Sequence, residues 1–189
     1  MNRDPITANP LLGEWTGAYG LPPFAAVQAA HFLPAFDVAL PAHLAELEAI
    51  ASNPDAATFA NTLQAFDESG SLNTRIEYLL SNLTHSETSP ELQAVEREMA
   101  PRLAAHENAI YMNAALFKRI DGLYERRAAL GLDPEQLRLL ERVHLDFVRS
   151  GAKLPQAARQ GYGVVMEELA SLCAQFGHCL LYTSPSPRD

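Results

Sequence analysis

Cysteine is almost missing from this chain: among 189 residues only Cys173 and Cys179 occur, close together near the end. So few exclude a disulfide framework, and their spacing matches no common zinc motif. They read as buried or incidental thiols. Long apolar runs are missing as well. Nothing approaches the ~18 apolar residues of a membrane span, so no membrane partner is expected. Basic residues are in deficit, with 14 Lys and Arg against 23 Asp and Glu and a formal charge of −9. That balance disfavours nucleic acid and anionic lipid, which both reward an excess of Lys and Arg. Met1-Asn2-Arg3-Asp4-Pro5 opens no apolar segment of the secretory type. The expected location is the reducing cytoplasm.

What is present is helical patterning around a real core, since 48% of residues are apolar and 20% charged. Residues 1–30 are rich in Pro and Gly and read as an extended leader, pinned by Trp15, Tyr19 and Phe24. Phe36, Leu40, Leu44, Leu47 and Ile50 then recur at helical steps. Pro41 lies inside that pattern and is expected to kink or break it. Further helices are predicted from Thr58 to Glu68 and from Leu72 to His85. Another starts at Ser89-Pro90-Glu91, runs to about Asn113 and bends near Pro101. Two more cover Ala115 to Leu130 and the stretch after Asp133-Pro134-Glu135-Gln136, where Asp133 can cap and Gln136 completes a capping-box spacing. The last runs from Pro155 to Phe176 through Val164, Val165, Leu169 and Leu172. No stretch alternates with the period of a strand, so the fold class is all-α, packed as antiparallel helix pairs.

Residues 31–177 thus form one helical lobe, and residues 178–189 stand apart from it. From Leu180 to Asp189 the periodicity stops and Ser and Pro crowd in. That string resembles translated sequencing adapter and reads as a non-native tail, the alternative being a genuine disordered terminus.

Candidate chemistry is sparse. His106-Glu107 begins like a zinc-peptidase motif, but Ile110 stands where a second histidine is required. Adjacent helical residues point about 100° apart and cannot jointly hold a metal. His106 therefore reads as a surface or partly packed residue. His31 and His43 have no partner one helical turn away; His31 reads as structural near a helix start. His144 lies on an apolar stripe and reads as a hydrogen-bonded core residue. His85 and His178 read as helix-end residues. Ser69, Ser71 and Ser81 lie in no nucleophile elbow, and Gly161-Tyr162-Gly163 lacks the rest of a dinucleotide fingerprint. Lys118, Arg119, Arg126 and Arg127 form a short basic patch, read as a solvated helix face, with contact to a peptide carboxylate as the alternative. No catalytic, cofactor-binding or metal-ligating residue is assigned.

A string of short motifs carries a family resemblance. It runs Asn9-Pro10-Leu11-Leu12, Gly20-Leu21-Pro22-Pro23-Phe24, His31-Phe32 with Pro34-Ala35-Phe36, Asn53-Pro54, Thr58-Phe59, Asn61-Thr62 and Ser69-Gly70. Ile110-Tyr111-Met112-Asn113, Leu116-Phe117-Lys118-Arg119-Ile120, Asp146-Phe147-Val148 and Gly151-Ala152-Lys153-Leu154 follow in order. In order and spacing, residues 9 to 177 resemble the N-terminal region of thimet-oligopeptidase-family zinc metallopeptidases. Gly151-Ala152-Lys153-Leu154 and the Arg126 to Leu132 stretch look more like the peptidyl-dipeptidase branch than the oligopeptidase A branch.

The resemblance implies one lobe of a larger helical ellipsoid, forming one wall of a channel for short peptides. It also implies a single zinc ion held by His-Glu-x-x-His and a distant Glu in a C-terminal catalytic lobe. That motif occurs nowhere in the chain. The implied function is therefore a part of a zinc peptidase, inert alone, whose parent releases C-terminal dipeptides. The alternative is a stand-alone helical module that binds peptides or partners without catalysis.

Overall fold

The computed structural model describes residues 9–183, and among them every regular element is a helix or a helical turn. The first leader residues and the last six of the expected non-native tail lie outside the described residues. The long helices are α1 (Phe32–Ala51), α3 (Ser71–Ser86), α4 (Pro90–Tyr111), α5 (Ala114–Glu125), α6 (Pro134–Arg149) and α7 (Gln156–Thr183), with the short α2 (Ala65–Glu68) before α3. No helix among the described residues is long and apolar enough to cross a membrane.

Helix starts follow from local side-chain chemistry. Asp133 accepts the Gln136 N–H while Gln136 accepts the Asp133 N–H, and Pro134 takes the first position of α6. Ser89 Oγ accepts the Leu92 N–H at the start of α4. Hydrogen bonds accepted from its own backbone N–H and from Ser89 hold the Glu91 carboxyl below its ordinary range there. Thr58 and Asn61 form a second reciprocal cap. It opens a wide, π-type turn over Phe59–Gln64 instead of the uniform helix predicted for Thr58 to Glu68, and α2 completes that stretch. Pro41 does not end α1, which runs on as a continuous helix to Ala51. The last helix extends past Phe176 to Thr183.

The chain divides into two compact units, each drawing on residues 31–177. The first takes Met1–Leu40, Leu72–Ala104 and Met166–Asp189, so far as these are described. Its core gathers Leu11, Phe32, Phe36, Ile76, Leu80 and Met99. The leader is fastened here by polar anchors. Asn9 Nδ2 donates to the His31 carbonyl, Trp15 Nε1 to the Pro10 carbonyl, and Arg75 to the carbonyls of Leu11 and Gly13 while lying over the Trp15 ring. Trp15 thus pins the leader as its sequence suggests. Tyr19 does not: it is 99% exposed, with a left-handed φ of 59°, and Phe24 is half exposed.

The second unit takes Pro41–Ser71 and Ala105–Val165. Its core is built on α5 and α6, with Leu116, Ile120, Leu123, Leu140 and Phe147 fully buried together with Leu63. Phe147 meets Tyr111 edge-on at 4.9 Å between ring centres. Each such side chain contributes about 1.5–3 kcal/mol through burial.

The predicted basic patch is not simply solvated. Arg119 donates to the carbonyls of Asn53 and Asp55, to Asn61 Oδ1 and to Thr62 Oγ1. Arg126 donates to the Ala57 carbonyl, and Arg127 lies 4.1 Å over the Tyr124 ring. The 53–62 segment has non-helical stretches whose carbonyls need outside donors, and α5 supplies them. Arg119→Ala is expected to cost about 2 kcal/mol, with Arg119→Lys recovering less than half because an ammonium cannot reproduce the planar fork. Urea denaturation followed by far-ultraviolet circular dichroism measures both.

Candidate functional site

Histidines mark the places where polar groups are buried, and each sits in a different arrangement. In the second unit, His43 on α1 and His106 on α4 face each other, with Nδ1 of His43 and Nε2 of His106 3.0 Å apart. Nε2 of His43 lies 3.3 Å from Ser69 Oγ. Ser69 Oγ in turn donates to the Phe66 carbonyl at 2.7 Å. That last bond sets the direction of the whole series. The serine proton is committed to a carbonyl, so Ser69 can only accept from His43 Nε2–H. Nδ1 of His43 then accepts, and His106 Nε2–H donates. Nδ1 of His106 is left as a buried lone pair with no hydrogen-bond partner among the described residues. A buried acceptor left unpaired costs less than a buried N–H, since a carbonyl-like lone pair is the more tolerable orphan.

The chemical consequence is direct. A nucleophilic serine needs a base that takes its proton, and His43 donates to Ser69 instead. Serine, imidazole and imidazole are close, yet the proton order is that of a structural bridge. Burial, opposed in part by the Glu46 carboxylate, lowers the His43 pKa. Burial and then the neighbouring His43 charge lower the His106 pKa to about 4. Both rings are therefore neutral near pH 7. His106 is buried here, deeper than the surface or partly packed position read from sequence.

His144 is the hydrogen-bonded core residue its apolar stripe suggests. Its Nε2 donates to Asp121 Oδ1 at 2.9 Å, and its ring stacks on Tyr124 at 3.8 Å. Burial works against ionisation of Asp121, but the His144 bond and the Lys153 charge outweigh it and hold the carboxyl below its ordinary range. Lys153 Nζ stands 3.4 Å from the same carboxylate, so it ties the Gly151-Ala152-Lys153-Leu154 motif to α5. His178, in the first unit, is not a helix-end residue. It is buried within α7, with Nε2 2.5 Å from Glu96 Oε2 and Nδ1 3.1 Å from Arg97 Nη1. His31 Nδ1 accepts the Gln28 N–H beside the start of α1, and His85 sits at the end of α3 with Nδ1 2.6 Å from the Ser81 carbonyl.

The described residues do not gather into a zinc site. Among the described residues no three His, Cys, Asp or Glu side chains stand close enough to hold a metal. Ile110, where a second ligand would be needed, is buried against the apolar core. Cys173 and Cys179, read as buried or incidental, are both exposed.

Two surface features stand out among the described residues. A groove of about 630 Å³ in the first unit has Phe24, Val27, Phe32, Leu83 and Leu92 on its apolar side. Asn82 and Glu87 are on its polar side. Helix α7 shows the second, an amphipathic pattern turned outward. Ala170 and Ala174 are half-buried and His178 is buried, while Leu169, Leu172, Phe176 and Leu180 are 46–65% exposed, as are Val164 and Val165. Apolar residues at helical spacing normally face a partner.

The hydrogen-bond order at Ser69 makes a plain forecast. A fluorophosphonate probe should leave the chain unlabelled, and Ser69→Ala should cost about 1 kcal/mol of stability. Stoichiometric labelling of Ser69 by mass spectrometry would contradict the structural assignment.

Comparison with known proteins agrees with the motif order. The chain is 40% identical to a dipeptidyl carboxypeptidase of Escherichia coli K12 over 180 residues, 95% of this chain and 26% of that enzyme. It is 38% identical to the dipeptidyl carboxypeptidase of Salmonella typhimurium over 95% of its length. Similarity to oligopeptidase A of Salmonella typhimurium is 27% over 92% of the chain. No family model matches. The chain spans about a quarter of the length of these relatives. Nearly all of its residues align to part of the length of both kinds of enzyme, a similarity consistent with a fragment of a thimet-oligopeptidase-family peptidase.

Proposed function

We propose that this chain is the N-terminal part of a peptidyl-dipeptidase-like zinc peptidase, forming one wall of the channel that admits short peptides. The observation that carries the reading is similarity along 95% of the chain to dipeptidyl carboxypeptidases whose length is about four times as great. The outward apolar stripe of α7 supports it, because a helix that exposes its leucines and phenylalanine suits a further layer of protein. The zinc ion and its ligands would lie in that further layer, the C-terminal catalytic lobe, and this chain alone would not turn over peptide. A cytoplasmic location suits an exposed, unbridged thiol such as that of Cys173.

A second reading, a helical module that binds peptides without catalysis, rests on the groove of the first unit. One experiment separates the two. The chain is assayed with a short peptide bearing a free C-terminus, with and without zinc. It is then mixed with a dipeptidyl carboxypeptidase polypeptide lacking the matching quarter. Zinc-dependent release of C-terminal dipeptides only in the mixture is the expected result. Turnover by the chain alone would overturn the claim that it is inert. A monodisperse monomer that never complements the truncated enzyme would favour the binding module.

A further inference from the structure

The bridge of His43, His106 and Ser69 holds one particular turn, and it has no place for an extra proton. Gly70 follows Ser69 with a φ of +67°, and a Cβ added there would lie 2.5 Å from the His43 ring. The turn between α2 and α3 is therefore pressed against His43, with backbone conformation and close approach both calling for glycine. Gly70 N–H also donates to Glu46 Oε2 at 2.7 Å. The turn thus hangs on two residues one helical turn apart on α1, His43 and Glu46, and His106 on α4 backs the first of them.

An added proton can go to two places. On His43 Nδ1 it would confront the His106 Nε2–H, setting donor against donor 3.0 Å apart. On His106 Nδ1 it would create a buried N–H without an acceptor among the described residues. The first choice breaks the series that ends on Ser69, and the second keeps its bonds but puts a charge and an unpaired N–H on a buried ring, a cost that opening of the turn relieves. The charged and titratable groups acting on the pair are Glu46, from α1, and each imidazole on the other. The turn itself contributes Ser69 and Gly70, which carry no charge.

We propose that His43 and His106 form an acid-operated latch on the Ser69-Gly70 turn: both rings neutral, the turn is held against α1; one ring protonated, the turn is freed. The sign follows from the lowered His106 pKa. A freed imidazole titrates near 6.5, whereas the latched His106 titrates at about 4. The open state therefore binds protons more readily, and the latch is fully closed above 6.5 and progressively lost as pH falls toward 4.

The isotope-labelled 189-residue chain, titrated from about pH 7.5 to about pH 4.5 across the imidazole range, tests this by nuclear magnetic resonance. Amide exchange at Gly70, corrected for intrinsic pH dependence, should accelerate about tenfold per pH unit below the ordinary imidazole pKa, once opening is coupled to one proton. The imidazole carbon shifts of His106 should move with it. Amides of Leu140 and Phe147 in α6 should keep their protection. His106→Gln, which still offers an N–H to His43 but cannot titrate, should flatten the acceleration. Gly70→Ala should leave the turn open already at neutral pH.

Three results would overturn the proposal. Gly70 could exchange at the same rate and pH dependence as Phe147, making the event global unfolding. The acceleration could persist unchanged in both His106→Gln and His43→Gln. Or the wild-type His106 ring could titrate near 6.5 with no response at Gly70, an outcome that needs no variant to fold.

Discussion

A chain built from helices satisfies its backbone almost everywhere except at the breaks, and here the guanidinium groups of arginine close those breaks. Arg75 holds the carbonyls of Leu11 and Gly13, Arg119 those of Asn53 and Asp55, Arg126 that of Ala57, and Arg159 those of Ala152 and Leu154. Each reaches from a helix, its first turn or its C-cap to a non-helical segment. A planar fork can serve two carbonyls at once, which an ammonium cannot do with fixed geometry. The composition matches this demand: of the 14 basic residues only Lys118 and Lys153 are lysines. Without those bridges the connecting segments would carry unpaired carbonyls, and the helices would lose the tethers that set where each begins.

The same economy explains why the histidines are silent as chemistry. His144, His178 and the His43–His106 pair each spend at least one ring nitrogen on a partner within the fold. A metal-binding histidine needs one nitrogen with a free lone pair facing open space, held by a second bond on the other side. His106 Nδ1 is the one buried nitrogen left unpaired among the described imidazoles, and it is enclosed. Similarity to a peptidase family is thus compatible with described histidines that face partners inside the fold.

Much of the helical order was legible from residues that act locally. Ser89-Pro90, Asp133-Pro134 and Thr58 mark starts because a cap needs only its own next turn. His144 was legible as a core residue because its neighbours on one stripe are apolar. Features that depend on distant partners were not. His43 and His106 are 63 residues apart, and nothing in either neighbourhood announces the other. Arg119 looks like any exposed cation until the segment holding Asn53 and Asp55 folds across it. Pro41 was expected to interrupt α1, yet a helix can lose one internal bond when packing on both sides holds it, and Ala39, Leu40 and Leu47 are buried. Helix α7 misleads in the opposite way, since its leucines follow a core-like period but face outward.

The placement of Trp15 has a practical side. It is the single tryptophan of the chain and lies in the first unit, half-buried, beneath the Arg75 guanidinium. Tryptophan emission is therefore a local optical reporter: it registers loosening of the leader and its anchor, and is blind to events around Phe147 and Tyr124. A melting curve recorded by fluorescence and one recorded by circular dichroism would describe different parts of the same polypeptide. Their agreement or divergence would say whether the two units lose order together.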